Sequence, residues 1–254
     1  MKPNEQIEQV VRTLSNSPNT VVVTGAGIST EAGIPDFRGP NGIYRQLGED
    51  RVMNIINIHT FNQNPALFYD FYRQHFVLPP VEPSKAHYIL AEMEKSGFIK
   101  GIVTQNIDGL HEKAGSRRVV AVHGNSEQYV CTNRHCRELY GRDKVEPQTS
   151  GVPTCEQCGS VLKPDVILFG EPIKHFTDAQ DMIMSARTLL VIGSSLTVYP
   201  VAGFVKAFST FYQDLIIINR GPTQLDHAAL VKIDRPNTGE TLEEIYYYLN
   251  RTGK

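Results

Sequence analysis

Apolar residues in this chain follow two periods that alternate along its length. Ile7, Val10, Val11 and Leu14 recur at the i, i+3, i+4, i+7 spacing of one helix face, which predicts an amphipathic helix over residues 4–16 with Asn4 as its cap. Thr20–Thr24 then forms a β-branched run between Asn19 and Gly25, the pattern of a strand buried on both faces. A helix over Ser84–Lys95 and strands at Lys100–Thr104 and Val119–Val122 continue the alternation. It resumes with a strand at Thr188–Ile192, a helix from Pro200 to Phe211, a strand at Leu215–Ile218 and a last amphipathic helix over Thr241–Asn250. Alternating strands and helices predict an α/β fold, a doubly wound, Rossmann-like parallel sheet whose ligands lie at the carboxyl ends of its strands.

Two segments break the pattern. Residues 34–82 read as helical but are interrupted by Pro35, Pro40, Pro65, Pro79 and Pro80, and residues 124–170 hold four cysteines among Pro, Gly and Thr. The expectation is a smaller zinc-binding domain formed by the insertions 34–82 and 124–170, set against a larger domain made of 1–33, 83–123 and 171–254.

Composition narrows the function. With 254 residues, 41% of them hydrophobic, the chain can bury a sizeable core. Its 25 basic and 27 acidic residues form no block of like charge, so a nucleic-acid partner is not expected. No apolar run follows the basic start, and no stretch approaches the roughly 18 apolar residues of a membrane span, so a cytoplasmic protein without a membrane partner is expected. In a reducing compartment, Cys131-x4-Cys136 and Cys155-x2-Cys158 favour metal binding over disulfides. Two short-spaced pairs can close a tetrahedral thiolate site, which suits structural Zn2+ and leaves no open position for water. No other cysteine is available as a thiol nucleophile.

The candidate chemistry falls at the strand ends. Gly25-Ala26-Gly27-Ile28-Ser29-Thr30 follows the first strand, where glycines would let backbone N–H groups approach a pyrophosphate; a Gly-x-Gly is equally well a tight turn. Thr30 stands where a dehydrogenase fingerprint has its third glycine, and no acidic residue ends a second strand about twenty residues on, so hydride transfer is disfavoured. Phe37 is placed to cover an aromatic ring and Arg38 to meet a phosphate, or they are core and surface residues. Gln105, Asn106 and Asp108 follow another strand, and His123 ends the next, where it is either a general base or a hydrogen-bonded structural residue.

Taken together, Gly25 to Arg38, Thr104-Gln105-Asn106-Ile107-Asp108, His123-Gly124, the cysteine pairs, Phe169-Gly170-Glu171, Gly193-Ser194-Ser195-Leu196 and Ile218-Asn219 resemble the sirtuin family in order and spacing, over about residues 5–220. The bare core resembles the bacterial and archaeal type. The resemblance implies an NAD-dependent protein-lysine deacetylase that consumes NAD. Gly25, Ala26, Gly27, Thr30, Phe37 and Arg38 would line the NAD pocket, and Gln105 would meet the nicotinamide ribose. Asn106 would hold a water or a ribose hydroxyl at the reacting centre, while Ile107 and Asp108 would bind the nicotinamide carboxamide. Gly193, Ser194 and Ser195 would hold phosphate and ribose oxygens, and Asn219 the adenosine ribose.

In such chemistry the acyl-lysine amide oxygen attacks C1′ of the ribose as nicotinamide leaves. His123 then deprotonates the ribose diol, and lysine is released with 2′-O-acyl-ADP-ribose. Val166, Phe169, Gly170 and Glu171 would pair with the backbone of an acetyl-lysine protein or peptide, in a segment read as an extended strand. Phe68-Tyr69-Asp70-Phe71-Tyr72-Arg73 lacks the Tyr-x-x-Arg pair of sirtuins that accept acidic acyl groups, so neutral acyl groups are expected, acetyl first. Rival readings are a mono-ADP-ribosyltransferase or NAD glycohydrolase on the same scaffold, or a non-catalytic NAD sensor. A monomer is expected.

Overall fold

The computed structural model describes residues 3–77, 80–146, 151–211 and 213–252; Pro79 of the proline series lies outside them. The chain runs α1 (Pro3–Asn16), β1 (Thr20–Thr24), a 3-10 turn (Ala26–Ala32), α2 (Ile43–Leu47), α3 (Glu49–Ile55), α4 (Ile58–Gln63) and α5 (Pro65–His75). It continues with α6 (Lys85–Lys95), β2 (Gly101–Thr104), α7 (Leu110–Lys113), β3 (Val119–Ala121), β4 (Gly124–Cys131), β5 (Leu139–Gly141), α8 (Arg142–Val145) and β6 (Leu162–Val166). The last third is α9 (Phe176–Met184), β7 (Thr188–Ile192), α10 (Val201–Ser209), β8 (Asp214–Ile218), β9 (Val231–Ile233) and α11 (Thr238–Thr252).

Six strands make one parallel sheet in the order β3-β2-β1-β7-β8-β9. Neighbouring residues on a strand point to opposite faces, and both faces are covered, which is why the strands read as continuous apolar runs. Val22, Ile102, Leu190 and Ile216 pack with Ile7 of α1, Leu90 of α6 and Leu242 of α11. Val21, Val103, Leu189 and Ile217 pack with Ile183 of α9 and Phe204 of α10. The strand order reverses between β1 and β7, and such a switch point opens a crevice at the carboxyl ends.

The two insertions share a separate core. Phe61, Phe68, Tyr69 and Tyr72 from α4 and α5 pack against Tyr129, Cys131, Tyr140 and Leu162 of the antiparallel sheet β5-β4-β6 and against Cys155 in the loop before β6.

Several element boundaries differ from the sequence expectation. Asn4 lies inside α1 and cannot cap it. Strand β2 excludes Lys100, β3 stops before Val122, and α10 occupies only Val201–Ser209 of the expected Pro200–Phe211. The final helix starts earlier, at Thr238, because the Asn237 side chain accepts the Glu240 N–H and Glu31 Oε1 accepts those of Thr238 and Gly239. Strand β9 was not anticipated. Val166–Glu171 is not an extended strand: β6 ends at Val166, and the segment then turns because Leu168 bonds Glu171 through both its N–H and its C=O.

At the switch point the loops after β1 and β7 touch backbone to backbone. Gly25 N–H donates to the Ile192 carbonyl at 3.1 Å, and Gly27 N–H to the Gly193 carbonyl at 2.9 Å. A Cβ on Gly27 would sit 2.7 Å from Gly193 Cα, and one on Gly193, whose φ is +62, would sit 2.4 Å from the Ile28 nitrogen. The glycines are therefore required by loop-against-loop packing, and the Gly25 and Gly27 N–H groups expected to face a pyrophosphate are already occupied.

Beside this contact lie two buried histidines with ring centroids 4.8 Å apart. The Ser84 N–H, which can only donate, bonds His87 Nδ1 at 3.2 Å, so the neutral ring carries its proton on Nε2. Burial pulls His87 down to about 4 against the opposing charge of Asp108, and burial together with His87 pulls His111 down to about 3.

Gly27→Ala should lower the unfolding free energy by ~3 kcal/mol, the upper end of overpacking, because the obstruction is backbone. Urea unfolding measures it, and a loss below ~1 kcal/mol would mean the two loops separate easily. The unfolded chain protonates His87 and His111 near pH 6.5 while the folded chain keeps them neutral, so their contribution is intact above that pH and declines as pH falls toward about 4 and then about 3. The expected slope is ~1.4 kcal/mol per pH unit for each histidine. His87→Gln should flatten it by half between pH 6 and pH 4.5, and an unchanged slope would assign it to other groups.

Candidate active site

The carboxyl ends of the parallel strands open into a cavity of about 1680 Å³ that reaches Glu127, Arg142 and Glu146 of the cysteine-bearing insertion. Its wall includes Gly25, Ala26, Gly27, Thr30, Phe37, Arg38, Gln105, Asn106, Ile107, Asp108, His123, Gly193, Ser194, Ser195 and Asn219, and also Val166, Phe169, Gly170 and Glu171. Residues far apart in sequence thus meet on one surface: the loops after β1, β2, β3, β7 and β8 of the parallel sheet supply most of them, and the segment ending β6 of the smaller sheet supplies Val166 to Glu171.

His123 follows β3. Its Nδ1 lies 2.8 Å from the Gln105 carbonyl, which can only accept, so Nδ1 carries the proton and Nε2 keeps the lone pair. Nε2 forms no hydrogen bond among the described residues. Burial holds the imidazole below the ordinary histidine range, and the bond to the Gln105 carbonyl opposes that shift. The side chain is therefore neutral, oriented and basic near pH 7.

Ser29 links the polar groups deeper in the cavity. Its hydroxyl donates to Asp108 Oδ2 at 2.7 Å and accepts from Asn106 Nδ2 at 3.1 Å, with His87 Nε2 at 3.4 Å. Asp108 Oδ1 also accepts the Leu110 N–H at 3.0 Å. With Asn106 Nδ2 committed to Ser29, Oδ1 is the end of that amide left for the cavity. Below this layer, Thr24 bonds both Thr104 at 2.8 Å and His111 Nε2 at 2.9 Å.

Other expected residues are differently engaged. Gln105 Nε2 donates to Ser194 Oγ at 3.0 Å, and Thr30 Oγ1 donates to the Gly27 carbonyl at 2.9 Å. Arg38 pairs with Glu49 at 2.6 Å and lies 4.8 Å over the Tyr44 ring, so a phosphate would have to displace Glu49. Phe37 packs on Tyr44 and Phe76 at 5.3 and 6.1 Å between centroids. The Ile107 carbonyl is taken by Ser126, and Asn219 Nδ2 bonds the carbonyls of Arg220 and Gly221.

The segment after β6 is pinned from both sides. Ile167 N–H donates to the His123 carbonyl at 2.8 Å, Phe169 N–H to the Ile56 carbonyl at 3.1 Å, and the Phe169 carbonyl accepts Ile58 N–H at 3.0 Å. Glu171 turns its carboxylate to the Leu168 N–H and to Lys163, so it shapes this edge from within. Thr197, Val198 and Tyr199 also line the cavity. Tyr69 is buried with its hydroxyl on the Leu162 carbonyl, so it does not offer a group to the cavity.

The four cysteine sulfurs lie within 4.8 Å of one another, with Cys131 and Cys158 at 3.4 Å and Cys136 and Cys155 at 3.7 Å. These spacings exclude S–S bonds of about 2.05 Å and suit a tetrahedral ion, whose thiolates at about 2.3 Å would stand about 3.8 Å apart. The set can hold one metal ion.

Sequence reasoning missed Ser29, His87, His111, Lys163, Ile167 and the wall at 197–199. Ser29 stood inside a chosen loop. The two histidines lie on helices α6 and α7, where only the packing of those helices under the 3-10 turn gives them a role.

Residues 25–200 match the Sir2 family model. An NAD-dependent protein deacetylase of Sulfurisphaera tokodaii is 42% identical over 227 residues, 88% of each chain. A structure of Sir2 with a deacetylated p53 peptide and 3′-O-acetyl-ADP-ribose superposes with a TM-score of 0.88 at 36% identity, covering 95% of this chain and 98% of that one. Sir2 with a p53 peptide and NAD+ gives 0.83 at 34% identity, over 97% and 98%. Sequence and fold therefore agree over nearly the whole length, and the chain belongs to the Sir2 family, the sirtuins.

Proposed function

We propose that this chain is an NAD-dependent protein-lysine deacetylase that releases nicotinamide, 2′-O-acetyl-ADP-ribose and the deacetylated lysine. The observation that carries the reading is His123, a neutral base with Nδ1 anchored on the Gln105 carbonyl, in a cavity that also holds Asn106 and Asp108. A sensor or a plain binding pocket has no use for an anchored base.

Bound NAD supplies a ribose carbon that becomes electrophilic as nicotinamide leaves. Asp108, fixed by Ser29 and Leu110, offers carboxylate lone pairs to the carboxamide N–H, with Ile107 packed beside it. Asn106 directs Oδ1 at a water or ribose hydroxyl, and Gln105 meets the nicotinamide ribose. His123 takes a ribose hydroxyl proton on Nε2. Gly25, Ala26, Gly27 and Thr30 line the pyrophosphate path, Ser194 and Ser195 beside Gly193 give hydroxyls to phosphate and ribose, and Asn219 meets the adenosine ribose. Phe37 shields the reacting centre from water, and Arg38 joins a phosphate by exchanging Glu49 for it.

An acetyl-lysine peptide lies between 166–171 and 197–199. The Ile167 carbonyl, which has no partner among the described residues, accepts the amide N–H of the acyl-lysine. Val166, Phe169 and Gly170 flank it, and Glu171 acts through Leu168. The aromatic surroundings of Tyr72 and Phe76 favour neutral acyl groups.

Cys131, Cys136, Cys155 and Cys158 hold a structural Zn2+. The reading divides the chain into 1–33, 83–123 and 171–254 around the parallel sheet, and 34–82 with 124–170 around the cysteines; the core shared by the two insertions supports it. The reading is of a cytoplasmic monomer, and no helix among the described residues is long and apolar enough to cross a membrane.

Incubated with NAD and an acetyl-lysine peptide, the protein should release nicotinamide and deacetylated peptide together. Equal nicotinamide release without peptide would favour the glycohydrolase reading. His123→Ala should lower kcat by ~10²–10⁴, the usual worth of a general base, with NAD affinity unchanged. The acid limb of kcat/KM should fall below the ordinary imidazole value of about 6.5, because burial favours the neutral, active form. Stripping the metal should abolish activity by unfolding the cysteine module, so full activity in metal-free, folded protein would remove the structural role.

A further inference from the structure

Lys163 lies in β6 and is only 8% exposed. A buried ammonium is unfavourable unless its donors find partners. Here Nζ donates to the Val166 carbonyl at 2.6 Å and pairs with Glu171 Oε2 at 3.0 Å. Burial pulls the ammonium below the usual lysine range, and Glu171 pulls it back. The same Oε2 accepts the Leu168 N–H at 2.8 Å, while Glu171 N–H donates to the Leu168 carbonyl at 3.0 Å. Leu168 thus turns both backbone groups toward Glu171, and the turn closes over Lys163.

The turn determines which backbone groups remain. The N–H groups of Ile167 and Phe169 are held by His123 and Ile56. Among the described residues, the Ile167 carbonyl and both backbone groups of Gly170 form no hydrogen bond. Gly170, at φ +90, is in the left-handed region that favours glycine. An apolar pair in place of Lys163 and Glu171 could fill the same volume, but it would leave Val166 C=O without its donor and Leu168 N–H without its acceptor. The segment would then be free to extend.

We propose that the Lys163–Glu171 pair is a positioning device for the peptide-binding edge, holding Val166–Glu171 in the turn that leaves the Ile167 carbonyl open to the acyl-lysine amide and Gly170 open to substrate backbone. The proposal rests on the deacetylase reading. Because the His123 ring is anchored separately on the Gln105 carbonyl, loosening this turn acts on peptide binding before it acts on proton transfer.

Steady-state kinetics on Lys163→Met, Lys163→Arg and the double variant Lys163→Met with Glu171→Leu test it. Lys163→Met should raise the acetyl-peptide KM by ~10-fold, the worth of about one hydrogen bond, with kcat and the NAD dissociation constant nearly unchanged. Lys163→Arg should keep the wild-type KM. The double variant should regain thermal stability, as apolar replacements of buried ion pairs often do, yet keep the raised KM. A KM that recovers with stability, or that never rises, overturns the proposal. Hydrogen exchange reads the same turn without turnover: the amides of Ile167, Leu168 and Phe169, which are hydrogen-bonded in it, should exchange ~10-fold faster in Lys163→Met while β1 stays protected. Unchanged exchange would also overturn it. Lack of peptide turnover by the unmodified protein would instead count against the deacetylase reading, leaving exchange to decide whether the pair holds the turn.

Discussion

The close approach of the β1 and β7 loops is the constraint on which the rest of the site depends. Adjacent parallel strands stand about 4.8 Å apart, so two loops leaving the same edge at the switch point compete for one volume. Gly25, Gly27 and Gly193 resolve that competition by keeping their own positions free of a Cβ at the closest approach, and two backbone hydrogen bonds then fasten the loops together. The 3-10 turn is thereby held over the strand ends, which carries Ser29 into reach of Asp108 and Asn106. Gln105 and Ser194, which follow β2 and β7, reach across the β1 end to bond each other.

Direction in the buried polar network comes from groups that have no choice of role. A backbone N–H can only donate and a carbonyl can only accept, so Ser84 fixes the proton on His87 and the Gln105 carbonyl fixes that on His123. One histidine becomes a donor toward Ser29 and the other keeps its outward nitrogen basic. Burial acts in the same sense on both by disfavouring the cation. The two rings carry out different tasks through the hydrogen bond made by the nitrogen facing away from the task.

The segment after β6 joins what the two insertions build to what the parallel sheet builds. It is bonded to His123 on one side and to Ile56 and Ile58 on the other, so the catalytic base and the helical insertion are fixed relative to the same few residues. A metal ion among the cysteines would hold the far end of β4 and β6, two strands that begin or end beside His123 and Ile167. An ion remote from the chemistry can thus bear on it through the sheet alone.

The doubly wound parallel sheet, the four-cysteine cluster and the strand ends that carry polar residues are legible in the order of amino acids alone. Those features are local: a β-branched run, a Cys spacing or a polar residue after a strand is readable within a few positions. Tertiary structure decided what each residue does there. Gly27 is a glycine because Gly193 arrives from 166 positions away, Glu171 faces inward because Lys163 is buried behind it, and Arg38 is occupied by Glu49. The buried histidines were illegible for the same reason, since nothing within a turn of α6 or α7 distinguishes a core histidine from one bonded to a hydroxyl of the site. Partners and burial are properties of the packed chain, and hydrogen-bond direction follows only once the partner is known.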